Sequence, residues 1–266
     1  MFDLKWDEHL QSVQFTQALN GSWDTAYAYV PCIFIENLLF TKLDTPQLAQ
    51  LSVSVAEKLK FYASQWSFDE VQIDCDWNQT TKEQYFLFLE KLSKHNWEVS
   101  STIRLHQIKF KEKSGIPPVK KGYLMCYNMG NIKRIDERNS IFDFEEMKSY
   151  LANLEDYPMS LDIALPIFSW SVLFRKGEFK SISIDKMDFN NPEKFKKLKV
   201  NMFECLKSHK TSKTVILRGD QLRFEEVDVM QIAKAVSFFN DINPKFRFVF
   251  FDLNESNLNR LNALTF

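Results

Sequence analysis

The sequence predicts an α/β fold, a (β/α)8 barrel of the TIM type. Three observations carry this. Short apolar runs alternate with amphipathic helical stretches along all 266 residues. Eight such runs can be counted, enough strands to close a barrel. Neither a dinucleotide fingerprint nor a P-loop accompanies them, which favours a closed barrel over a doubly wound sheet.

The strand-like runs cover residues 1–6, 27–35, 71–77, 99–106, 122–129, 161–168, 214–218 and 246–253. Helix starts fall between them. Asp44-Thr45-Pro46 supplies a cap and an early proline for a helix reaching Tyr62. Thr80-Thr81-Lys82-Glu83 reads as a capping box ahead of Tyr85. Further helices are expected from Asp143 to about Leu154, from Asn191-Pro192-Glu193 to about Leu206, and from Asp228 to about Phe239. Two segments break the rhythm. Residues 107–121 form a long lysine-bearing stretch around Gly115-Ile116-Pro117-Pro118, expected as a loop. Residues 172–184 read as an inserted hairpin turning at Lys176-Gly177. No linker or composition break divides the chain, so one domain over residues 1–266 is expected.

Composition removes several function classes. Net charge is −1, from 34 Lys+Arg against 35 Asp+Glu, so the basic excess of a nucleic-acid binder is missing. No apolar run approaches the roughly 18 residues of a membrane span, and no basic-then-apolar leader follows Met1. Cys32, Cys75, Cys126 and Cys205 form no C-x-x-C pair, so a zinc knuckle is not on offer. Nothing in the residues calls for a cofactor.

The chemistry-bearing signal lies in the strands. Alternation sets Val71, Ile73 and Cys75 on one face and Gln72, Asp74 and Asp76 on the other. In the next strand Ser100, Thr102, Arg104 and His106 share a face. In a barrel these sets point inward, with Asp76 nearest the C-terminal mouth where such folds keep their sites. Arg104 is the expected partner of Asp74 or Asp76, because a desolvated carboxylate needs a counter-ion. That argument also gives an Arg104→Ala cost of about 3–5 kcal/mol. A buried Asp–Arg network that only fixes barrel register stands beside the functional reading.

The segment from Asp69 to Asp76 resembles the D-x-x-D-x-D-x-E strand of chitinase-type glycoside hydrolases. Asp69, Asp74 and Asp76 fall on motif positions, Gln72 replaces an Asp, and Asp76 replaces the catalytic Glu with a side chain one methylene shorter. A second resemblance covers nearly the whole chain. Val71-Gln72-Ile73-Asp74-Cys75-Asp76-Trp77, Thr102-Ile103-Arg104-Leu105-His106-Gln107, Gly115-Ile116-Pro117-Pro118-Val119, Tyr127-Asn128-Met129-Gly130 and Leu161-Asp162-Ile163-Ala164-Leu165-Pro166 are similar to stretches of a glycoside-hydrolase-like (β/α)-barrel family of unknown function. That resemblance implies an extracytoplasmic or lipid-anchored protein. It also places a leader and a strand before residues 2–6, so the barrel is expected to lack its first strand here. A gap or a foreign segment beside residues 2–6 would follow, with poor solubility or association through the exposed edge, and residues 214–218 would lie outside the barrel with the hairpin insertion.

The site reading follows. Asp76 is the candidate general acid and Asp74 its orienter. Arg104, His106, Tyr127 and Asn128 are candidates for bonding sugar hydroxyls, and Trp77 and Trp170 for stacking on a ring. Asp74 and Asp76 are about 6.6 Å apart along one strand and do not flank a sugar, so a second carboxylate must come from elsewhere. Asp220, Glu225, Glu226, Asp252 and Glu255 are the candidates. A metal at Asp74, Asp76 and His106 is open, but no spacing demands one. The expected partner is a carbohydrate. Three classes remain: a glycoside hydrolase, a catalytically silent barrel that binds polysaccharide or a surface partner, and a structural domain with inward charges.

Overall fold

The computed structural model describes residues 2–16, 24, 26–136, 139–212, 214–252, 254, 257 and 259. In chain order the elements are β1 (Phe2–Asp7), β2 (Ser12–Thr16), β3 (Cys32–Ile35), α1 (Leu39–Lys42), α2 (Thr45–Ala63), β4 (Glu70–Asp74), α3 (Lys82–Leu92), β5 (Glu98–Arg104), α4 (Leu105–Lys109), α5 (Lys111–Ser114), β6 (Lys121–Met125), α6 (Phe144–Ser149) and β7 (Ser160–Pro166). They continue with β8 (Ser169–Arg175), β9 (Glu178–Ser183), β10 (Phe195–Lys197), β11 (Met202–Cys205), β12 (His209–Lys210), β13 (Val215–Ile216), β14 (Gln221–Glu226), α7 (Val229–Ile242) and β15 (Phe248–Phe251). Two compact units result: Met1–Met125 with Tyr150–Ile163, and Cys126–Ser149 with Ala164–Phe266.

In the first unit β1, β3, β4, β5 and β6 pair in parallel, with the start of β7 beside β6. Crossover helices between parallel strands are what parallel pairing requires. Helix α2 begins where expected: Asp44 accepts from Gln47 N at 2.9 Å, Gln47 returns the bond to Asp44 N, and a proline follows. Leu48, Leu51, Val55 and Leu59 then bury one stripe, as a 3.6-residue period dictates. Helix α3 starts at the predicted place by another route. Thr81 makes no capping bond; its buried hydroxyl donates instead to Asn37 Oδ1 at 2.6 Å.

Of the gap or foreign segment expected beside β1, the structure shows the segment. The chain turns at Gln11, whose φ of 47° is left-handed, and β2 pairs antiparallel with β1 from Asp3↔Thr16 to Asp7↔Ser12. A foreign strand rather than a parallel one therefore flanks β1, and association through the β1 edge is not required. The stretch after His106 is also more ordered than a loop, because α4 and α5 occupy most of residues 105–114.

The second unit holds a five-stranded sheet, β10-β11-β14-β8-β9, all antiparallel. The β8–β9 hairpin turns at Lys176 and Gly177, both at positive φ. The helix expected over residues 191–206 is absent. Asn191 makes one turn, accepting from Glu193 N through Oδ1 and from Phe195 N through its carbonyl. The chain then runs as the β10–β11 hairpin. Pairing Phe195 with Cys205 buries both, with Phe203, against Leu173, Ile216 and Leu222. Burial of those rings outweighs the helix-start signal. Helix α6 ends at Ser149 rather than near Leu154. Strand β13 lies outside the parallel strands, paired with β12 rather than with the hairpin. The end of β7 lies beside β15, with Ile167 N donating to Phe251 O at 2.7 Å.

Candidate functional site at the ends of β4 and β5

Along β4, Val71 and Ile73 are fully buried, while Glu70, Gln72 and Asp74 occupy the other face, half-buried. Parallel register sets Gln72 beside Ser100, so Thr102 and Arg104 flank Asp74 and Asp76 two and four residues on. The side chains meet accordingly. Thr102 Oγ1 donates to Asp74 Oδ1 at 2.8 Å, and Arg104 Nε donates to Asp76 Oδ1.

The two aspartates differ in environment. Burial pushes the Asp74 carboxyl above the usual range against the bond from Thr102, and the neighbouring Asp76 charge pushes the same way. Asp76, just beyond β4, has a side chain 51% exposed, and that of Arg104 is 29% exposed. An ion pair this open is worth about 0–1 kcal/mol. The large cost expected for Arg104→Ala is therefore revised: the variant should lose no more than about 1 kcal/mol. Chemical denaturation would check this, and a loss near the larger figure would contradict the exposed geometry.

His106 lies one residue inside α4, not on β5, because the strand ends at Arg104. Partial burial lowers its imidazole below the ordinary value, and the Arg104 charge adds to this, so a neutral ring faces solvent near pH 7. Gln107, which the sequence reading passed over as a site residue, holds the two strand ends. It accepts from Arg104 N at 2.7 Å and donates to Trp77 O at 3.3 Å while 1% exposed. Its signal was a polar residue three positions after the strand's last residue, an end-capping spacing.

Trp77 is a core residue, contrary to the stacking role expected of it. It is 2% exposed, stacked on Tyr85 at 5.0 Å, edge-on to Phe86, and its Nε1 donates to Ser114 O. No ring face is left for a ligand.

Tyr127, Asn128 and Trp170 belong to the second unit. Tyr127 stacks on Phe251 at 5.3 Å and meets Phe168 edge-on. Trp170 packs against Phe168 and donates to Glu225 Oε2 at 2.8 Å. Asn128 is exposed at a φ of 56°.

The carboxylates considered as second catalytic groups are mostly engaged. Glu225, 1% exposed, accepts from Ser140 N, Ser140 Oγ, Trp170 Nε1 and Arg223 Nε. Asp220 is held by Arg175 through two bonds and by Leu217 N. Asp252 accepts from Asn254 and Asn257. Glu226 is exposed, and Glu255 lies outside the described residues. Among the described residues no group of three His, Cys, Asp or Glu is placed to hold a metal, and no helix is long and apolar enough to cross a membrane.

An ion cluster invisible in the sequence occupies the same face as Asp74, at the opposite strand ends. Lys121 Nζ lies 2.7 Å from Glu70 and 3.1 Å from Asp162, and Tyr123 Oη donates to Glu70 at 2.7 Å.

No family model and no curated protein sequence matches the chain. Solved structures do. The spore cortex-lytic enzyme SleL of Bacillus cereus superposes with a TM-score of 0.58 at 12% identity, over 95% of this chain and 63% of that one. A chitinase from Chromobacterium violaceum gives 0.51 at 9% identity, over 99% and 90%. The chain thus spans less than two thirds of the SleL length. At such identities the likeness shows the fold alone: α/β, with a mostly parallel sheet, of the TIM-barrel-like type.

Proposed function

We propose that this chain is a glycoside-hydrolase-like protein that engages a carbohydrate at the C-terminal ends of β4 and β5, with Asp76 as general acid and Asp74 as its orienter. One observation carries the reading. An exposed carboxyl stands at a strand end directly above a half-buried one that burial pushes above the usual carboxylate range. Two neighbouring carboxyls in different environments can divide acid and orienting roles between them. In this reading Asp76 gives its proton to the glycosidic oxygen, the bond from that oxygen to the anomeric carbon breaks, the aglycone leaves as an alcohol, and water bonds to the anomeric carbon while its released proton returns to the Asp76 carboxylate. Arg104 must first release Asp76, and His106, neutral near pH 7, is placed to bond a sugar hydroxyl.

A second reading has its own support. Arg104 Nε already engages one oxygen of the Asp76 carboxyl as an ion pair, which favours a catalytically silent barrel that binds glycan. Hydrolysis and binding assays on a panel of oligosaccharides separate the two. For the hydrolase, Asp76→Asn should cut turnover by about 10²–10⁴-fold and leave the melting temperature nearly unchanged, while Asp76→Glu, which restores the missing methylene, should keep activity. For the silent barrel, the parent releases no sugar and Asp76→Asn changes only affinity. Equal binding by parent and Asp76→Asn with no turnover would reject both.

A further inference from the structure

A cleft lies in the first unit at the other end of the strands. It encloses about 500 Å³ and is lined by Ser93, Trp97, Glu98, Val99, Pro118, Val119 and Lys120. Glu98 opens β5 and Lys120 directly precedes β6. Six residues at about 3.3 Å each separate Glu98 from Arg104, so the cleft is roughly 20 Å from the Asp76–Arg104 pair.

Its floor is built to hold a flat ring. Trp97 is half-buried, and Phe68, itself 7% exposed, stacks on it at 5.9 Å with the planes 20° apart. The indole is thereby fixed in orientation before any ligand arrives, while the residue still lines the cleft. Pro118 and Val119 add a rigid apolar wall. Around this floor stand a hydroxyl (Ser93), a carboxylate (Glu98), an ammonium (Lys120) and the indole N–H of Trp97, none with a side-chain bond to another described residue.

We infer that this cleft is a second carbohydrate site, taking one or two pyranose rings of a glycan chain on Trp97. A pyranose presents an apolar face of C–H groups and a rim of hydroxyls that both donate and accept. An aromatic shelf ringed by one acceptor-only group, two donor-only groups and one hydroxyl matches both features. A peptide strand would instead need a free sheet edge, and β5 and β6 are paired with each other here. The site is distinct from the strand-end site and does not depend on Asp76 being catalytic.

The test is titration of the intact protein with cellotetraose and chitotetraose, read by tryptophan fluorescence and calorimetry. Asp76→Asn should bind at the cleft as the parent does. Trp97→Ala should weaken that binding by roughly tenfold or more. Glu98→Gln and Lys120→Ala, both exposed and unbonded, keep the fold and should weaken it severalfold, which covers the case of a misfolded Trp97→Ala. Binding lost in Asp76→Asn but kept in the cleft variants would overturn the inference. So would a parent protein that binds neither tetrasaccharide outside the Asp76 site.

Discussion

Replacing Arg223 with alanine is expected to lower stability by about 3–5 kcal/mol, the usual cost of stranding one member of a fully buried ion pair. Both side chains are 0% exposed, and Arg223 Nε sits 2.5 Å from Glu225 Oε1. The guanidinium does more than neutralise one acid. It also donates to the carbonyls of Ile132, Arg134 and Asp136 and lies 5.2 Å over the Phe174 ring. Removing it leaves a buried carboxylate and several carbonyls without their donor. Urea unfolding followed by tryptophan fluorescence would measure the loss. A double variant with Glu225→Leu should recover part of it, because the uncompensated charge is gone. A loss under about 1 kcal/mol would mean that water reaches this pair.

Lys121→Met is the second large effect, and its dependence on pH can be signed. Lys121 neutralises Glu70 and Asp162 together, both with side chains 15% exposed or less. Burial alone would raise the Glu70 carboxyl, but bonds from Lys121, Ser100 and Tyr123 outweigh it and hold that carboxyl below its ordinary value. A depressed carboxyl contributes stability that is present above its unfolded value, about 4.3. That contribution is lost as pH falls through the lower folded value. The parent should therefore weaken as pH drops below about 4.3. At pH 7 the variant should lose about 3–5 kcal/mol, from two carboxylates left without their cation. Toward acid the gap should narrow as the Glu70 carboxyl takes up a proton. Melting curves from pH 3 to pH 7 would check both statements; a gap that widens in acid would contradict the sign.

The parallel strands and the Asp74–Asp76–Arg104 grouping were legible because they rest on alternation within a strand, which is local. Asp44 and Asp228 were legible as caps for the same reason, each accepting a bond from a residue two or three positions on. The misses share a different cause. Lys121 and Glu70 are 51 positions apart and Ser140 and Glu225 are 85 apart, and no local pattern announces such partners. Glu225 therefore read as a free carboxylate although four donors saturate it. Trp77 read as a platform because nothing in the sequence shows that Tyr85 covers it. Asn191-Pro192-Glu193 is a sound helix start by local rules, and only the distant Leu173, Ile216 and Leu222 decide that the following aromatics form strands. How far Asp76 is exposed was equally hidden, and the cost of losing Arg104 depends on it.

The Arg223 network also bears on the order in which the chain assembles. In the first unit β4, β5 and β6 are joined to their neighbours across a few tens of residues, so each pairing closes a short loop. The carbonyls of residues 132–136 wait 87 to 91 positions for the guanidinium that engages them. During synthesis the first unit's parallel strands can all have emerged while the 132–141 segment still lacks its cation and its strand β14. Pairings at such separation form late and slowly. The contacts of Arg223 and Glu225 with residues 132–140 are thus expected to form after the first unit's parallel pairings.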